Sequence, residues 1–170
     1  ASDYRPSATA VWAARKGEHI GSCVGMSITS LLAFGNKDLL LQTFPSFGAY
    51  GNLAALPLND ARREIINQLM FTQYAKVPQA NEDTVRTNPN DAFIQKVKTM
   101  FLDDDRSNDA TLSMLSGGGG HSVMPYKLVR DSVPGITGEL YLLYVYDNNY
   151  PLDANLAVVI RPADGFWRYP

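Results

Sequence analysis

From Gly21 the chain reads as the start of a helix. Gly21 allows a tight turn, Ser22 is a good N-cap, and the apolar residues Ile28, Leu31 and Leu32 then recur at helical spacing. This predicts a buried helix opening at Cys23 and ending near Phe34-Gly35-Asn36, a suitable C-cap. From Lys37 to Leu58 apolar residues mix with Pro45, Gly48, Gly51 and Pro57, which reads as loop or short turns packed on a core. Asp60 then has the character of an N-cap, and Ile65, Ile66, Leu69, Met70 and Tyr74 mark an amphipathic helix running to about Lys76. A polar connection, Val77 to Thr87, leads to a third helix opened by Pro89 and Asn90, with Phe93, Ile94, Val97, Met100 and Phe101 on its inner side. It stops at Asp103-Asp104-Asp105, because the negative end of the helix dipole disfavours carboxylates.

Asn108 or Asp109 is expected to cap a short helical turn through Met114, and Gly117-Gly118-Gly119-Gly120 is a hard break. Beyond it the periodicity becomes that of strands. Segments His121 to Val129, Glu139 to Tyr146 and Asn155 to Ile160 are rich in Val, Leu, Ile and Tyr, and turn residues such as Pro134-Gly135 and Asn148-Asn149 separate them. A helical first half followed by an antiparallel second half defines an α+β fold rather than alternating βαβ units. At 170 residues the chain reads as a single domain, 1–170, with residues 1–19 an irregular N-terminal arm anchored by Trp12.

Composition narrows the function more by exclusion than by pointing. A formal charge of -2 and a pI near 5.6, with no Lys/Arg cluster along any predicted face, argue against nucleic acid as a partner. The apolar runs are far short of a membrane span. A single cysteine rules out an internal disulfide framework. One cysteine and two distant histidines make no zinc site. Asp103, Asp105, Ser107 and Asp109 alternate like the start of a calcium loop, but Asn108 replaces the required glycine and Met114 stands at the twelfth position. No cofactor or metal is therefore expected. The start Ala1-Ser2-Asp3 reads as a processed mature form or as a domain cut from a larger protein.

The candidate chemistry begins at Cys23. In the first turn of a helix, unsatisfied backbone N–H groups and the positive dipole end favour the reactive thiolate. The alternative is a small buried apolar residue. The histidines are His19 and His121. His121 opens a strand directly after the glycines, and the next strand runs into Asp147-Asn148-Asn149. In a hairpin of these strands, His121 and Asp147 share one end. A thiolate nucleophile needs a base within reach, and the base needs a third group to fix its tautomer. Asp147 is also good turn chemistry ahead of Tyr150-Pro151. The glycines are either slack or a groove bare of side chains, where an extended peptide meets exposed backbone at Gly119 and Gly120.

Gly21-Ser22-Cys23 resembles the nucleophile segment of papain-like cysteine peptidases, and Gly120-His121-Ser122-Val123 resembles their histidine strand. Tyr144-Val145-Tyr146-Asp147 is most similar to the bacteriocin-leader-processing (C39-like) group, in which an Asp closes the triad. The resemblance implies a papain-like fold with the nucleophile helix packed on the sheet. It also implies Cys23 as nucleophile, His121 as general acid/base and Asp147 as orienter, with Asn148 as substitute if the register is off by one. The family usually carries a glutamine about six residues before the cysteine, and here that position is Gly17. The oxyanion hole would then use the Cys23 N–H with His19 or Ser22 as second donor.

The expected activity is hydrolysis of peptide bonds through a Cys23 thioester, with a peptide or protein as substrate and an extracellular or cell-surface location, or alternatively a cytoplasmic one. Two alternatives keep the same fold: a catalytically inactive peptide-binding module, and a Cys-dependent acyltransferase.

Overall fold

The first helix begins at Cys23, directly after Gly21 and Ser22. In the computed structural model, which describes residues 10, 21–48, 50–74, 91–102, 109–116, 119–132 and 138–170, helix α1 spans Cys23–Gly35. It is followed at once by α2 (Lys37–Thr43), where turns were expected, capped by the Asn36 side chain accepting from the Leu39 N–H. Helix α3 (Asp60–Met70) is capped by Asn59 rather than Asp60, which instead places its carboxylate in the first turn. A short 3-10 turn, Phe71–Tyr74, continues it. Helix α4 (Asp91–Leu102) stops just before the aspartate run. The N-terminal arm with Trp12 and His19, the connection at 75–90 and the acidic stretch 103–108 lie outside the described residues.

Five strands form one antiparallel sheet in sequential order among the described residues: β1 (Leu112–Ser116), β2 (Gly119–Asp131), β3 (Leu140–Tyr146), β4 (Ala157–Arg161) and β5 (Phe166–Arg168). The architecture is α+β. Two strands depart from the expectation. Leu112 to Met114 are strand, not a helical turn: Leu112 and Met114 alternate inward with Ser113 and Leu115 outward, and Ser116 pairs with Gly119. Gly119 and Gly120 of the glycine run belong to β2, which pairs antiparallel with β1. Strand β5 follows a 3-10 turn ended by Gly165 at φ 69, and Arg161 braces that turn through paired contacts to Asp164 at 2.6–2.9 Å.

One sheet face carries Val123, Tyr141, Leu143, Val145, Val158 and Ile160, packed with Ile94 and Val97 of α4. Helix α1 packs against β2 and α3, and its most buried residues are not the apolar ones expected. Ile28, Leu31 and Leu32 are half-buried, whereas Gly25, Ser27, Thr29 and Ser30 are buried. Each hydroxyl has an acceptor: Ser27 donates to the Ser122 carbonyl at 2.7 Å, Thr29 to Gly25 and Ser30 to Met26 within the helix. Small residues let the helix approach its neighbours closely. A Cβ on Gly25 would lie 2.0 Å from the Ile66 carbonyl oxygen, so α1 and α3 meet backbone to backbone.

Gly25→Ala should therefore destabilise the protein even though alanine is the better helix former by about 1 kcal/mol. Overpacking against immobile backbone costs about 1–3 kcal/mol or more. Urea unfolding measures it, and a variant as stable as wild type would show that the two helices are not in backbone contact.

Candidate active site

His121 is the third residue of β2, and Asp147 is the first residue beyond β3. Met124 stands opposite Tyr146. Carrying that register one residue further sets Asp147 opposite Val123 and makes His121 its diagonal neighbour on the same face. The imidazole Nε2 and Asp147 Oδ2 are 2.9 Å apart. The strand periodicity thus brings the His121 and Asp147 side chains together, as the spacing suggested.

Asp147 is only 1% exposed, so its charge must be satisfied by protein groups. Oδ2 accepts from the Tyr169 hydroxyl as well as facing His121, while Oδ1 accepts the Asn149 N–H at 2.7 Å. The turn that supplies this N–H is closed by Tyr150 N–H donating to the Asp147 carbonyl at 3.0 Å. Burial pushes the Asp147 carboxyl upward, but the bonds from Tyr169, the Asn149 N–H and His121 outweigh it, and the net is a pKa below the ordinary value. The Tyr169 hydroxyl is pushed well above the ordinary tyrosine range, first by burial and then by its bond to the carboxylate. At neutral pH the pair is a neutral phenol donating to an ionised carboxylate. The Tyr169 ring also lies beside His121, with ring centroids 6.4 Å apart. No spacing rule pointed to Tyr169, which reaches the site from the segment after β5.

Asn148 is not an interchangeable orienter. Alternation turns its side chain the other way, where Nδ2 lies 2.9 Å from Met26 Sδ on α1 and Oδ1 is buried without a hydrogen-bond partner among the described residues. Ser22 is likewise corrected. Its hydroxyl makes no cap bond and is not a free oxyanion donor, because it donates to Asn67 Oδ1 at 3.0 Å. His19 lies outside the described residues.

Cys23 is the first residue of α1, half-buried and with a free thiol. The first helical bond runs from Met26 N–H to the Ser22 carbonyl, so the N–H groups of Cys23, Val24 and Gly25 precede any intrahelical acceptor. One turn further on, Ser27 is bonded to Ser122, the neighbour of His121, and Met26 touches Asn148, the neighbour of Asp147. The helix start is thereby docked beside the strand ends that carry the dyad. Among the described residues the Cys23 thiol makes no hydrogen bond to His121 or to any other group.

Gly119 and Gly120 line an open groove of about 380 Å³ together with Met114, His121, Trp167 and Tyr169. Among the described residues no group of three or more His, Cys, Asp and Glu could hold a metal ion, and no helix is long and apolar enough to cross a membrane. Asp147 and Asp153 instead accept the N–H groups of Asn149 and Asn155. No family model, curated protein or solved structure matches this chain.

Because the folded pKa of Asp147 lies below its unfolded value, ionisation contributes stability that is present above the unfolded value, near about 4, and lost as pH falls through the folded one. Tyr169→Phe keeps the ring and removes one donor to the buried charge, so stability at pH 7 should fall by about 1.5–3 kcal/mol. The deficit should shrink at pH 3. Urea unfolding at both pH values measures this, and an equal deficit at both would mean that only packing was lost.

Proposed function

We propose that this chain is a papain-like cysteine peptidase working through Cys23, His121 and Asp147. The observation that carries the reading is the His121–Asp147 bond. A buried, ionised carboxylate takes up Nε2, which leaves Nδ1 as the imidazole nitrogen able to exchange protons. A carboxylate on the far side of the ring also stabilises the imidazolium that forms during turnover. Cys23, at the start of the helix whose Met26 and Ser27 contact the chain neighbours of Asp147 and His121, is the nucleophile in this reading.

In the proposed reaction the Cys23 thiol proton passes to His121 Nδ1, and the thiolate attacks the carbonyl carbon of the scissile peptide bond. The oxyanion forms against the uncapped N–H groups at the start of α1, that of Cys23 first. The C–N bond breaks as His121 returns the proton to the departing amine, leaving a Cys23 thioester. Water then gives a proton to His121 and its hydroxide attacks the thioester. The C–S bond breaks, the acid product leaves and the thiol is restored. The thiol and imidazole must come into hydrogen-bond reach for the first step, a contact that in free enzymes often tightens only when substrate is bound.

A second reading, a peptide-binding module on the same fold, is favoured by one observation: Cys23 is not hydrogen-bonded to His121 among the described residues. An acyltransferase would keep the same dyad and differ only in an amine replacing water.

Hydrolysis of a denatured protein substrate separates these readings. Cys23→Ala should abolish cleavage, His121→Ala should lower kcat/KM by about 10²–10⁴-fold, and acid quenching should trap an acyl adduct on Cys23 visible by mass spectrometry. Turnover that survives Cys23→Ala would overturn the reading. Binding without cleavage would establish the module, and dependence of turnover on an added amine would establish the transferase.

A further inference from the structure

The groove beside His121 is built from the two outer edges of the sheet. Strand β1 is bonded only to β2, and β5 only to β4, among the described residues. Yet Met114 of β1 and Trp167 of β5 line the same groove, together with His121 and Tyr169. The sheet is curled enough to bring its two unpaired edges to one cleft. Every sheet edge presents free N–H and C=O groups to an extended chain. His121 aside, the side chains lining the groove are uncharged, and the walls are a thioether, an indole and a phenol ring.

The groove is open at one point for a definite reason. Gly119 shares its strand face with His121 by period-2 alternation, and a Cβ built there meets nothing within 4 Å. A side chain at 119 would therefore extend from the same face into the cleft without disturbing the fold. Trp167 is 48% exposed at its side, a large aromatic left in water on a three-residue strand. The volume, about 380 Å³, lies at the low end of ligand-site sizes and suits one large side chain rather than a folded partner.

We infer that this cleft is the substrate subsite next to His121, and that it takes an extended peptide carrying a large apolar or aromatic residue. The inference rests on the peptidase reading for its place in a reaction, but binding alone tests it. The probes are the blocked peptides Ac-Ala-Ala-Xaa-Ala-amide with Xaa as Phe, Ala or Asp, titrated into Cys23→Ala protein, which forms no thioester. The Trp167 indole N–H and the His121 ring resonances report the site by NMR.

The Phe peptide should shift both resonances and bind at least about tenfold more tightly than the Ala peptide, the factor that burial of one large apolar side chain supplies. Gly119→Leu should remove that tenfold preference, and Trp167→Ala should do so independently at an exposed position. Equal affinity for Phe and Ala peptides, shifts confined to other residues, or a preference unchanged in both variants would overturn the inference. So would dimerisation through this cleft, seen as concentration-dependent shifts without peptide. The two readings fail separately. Selective binding without cleavage by wild-type protein leaves the subsite and removes the peptidase, whereas cleavage without preference for Phe does the reverse.

Discussion

A carboxylate out of reach of water governs the arrangement of the end of the sheet that carries His121. Asp147 is held ionised in the protein interior, where an unpaired charge costs several kcal/mol. Three donors make it tolerable, and each comes from a different element. The Asn149 N–H requires the tight turn after β3, His121 requires the β2–β3 register, and Tyr169 requires β5 to be paired with β4. A side chain near the end of the chain thereby helps fix the group that orients a histidine at the start of β2. The same oxygen, Oδ2, serves both His121 and Tyr169, so imidazole orientation and docking of the last strand are physically linked.

The second constraint is close approach. Helix α1 meets its neighbours through Gly25, Ser27, Thr29 and Ser30 rather than through large apolar side chains. Backbone contact between Gly25 and Ile66 sets its distance from α3, and the Ser27–Ser122 bond sets its height along β2. Cys23, one turn before Ser27, inherits its position from these contacts. A greasy interface would tolerate sliding, whereas a hydrogen bond and a backbone contact fix one register.

The α+β order, α1, α3 and α4 and strands β2, β3 and β4 were legible because each has a clear period and a recognisable end. His121 and Asp147 were legible together, since alternation fixes which face each side chain takes once the hairpin is assumed. Strand β1 was missed because Leu112 and Met114 give only two inward positions beside a glycine run that also suits a helix end. Helix α2 was hidden because Pro45, Gly48 and Gly51 follow so closely on its seven residues. Tyr169 carried no local signal at all, since its role depends on β5 folding back across the sheet. The buried hydroxyls of α1 were invisible for a related reason. A polar residue reads as exposed until a distant acceptor such as the Ser122 carbonyl is known.

The central proposition is that His121 and Asp147 act on Cys23, and the most direct test is the pH dependence of Cys23 alkylation by a small thiol reagent in wild-type and His121→Ala protein. A thiolate–imidazolium pair predicts reactivity that reaches a plateau extending well below about pH 8 and collapses in the variant. A single titration near the free-thiol value of about 8.5, identical in both proteins, would contradict it and leave the dyad without a nucleophile.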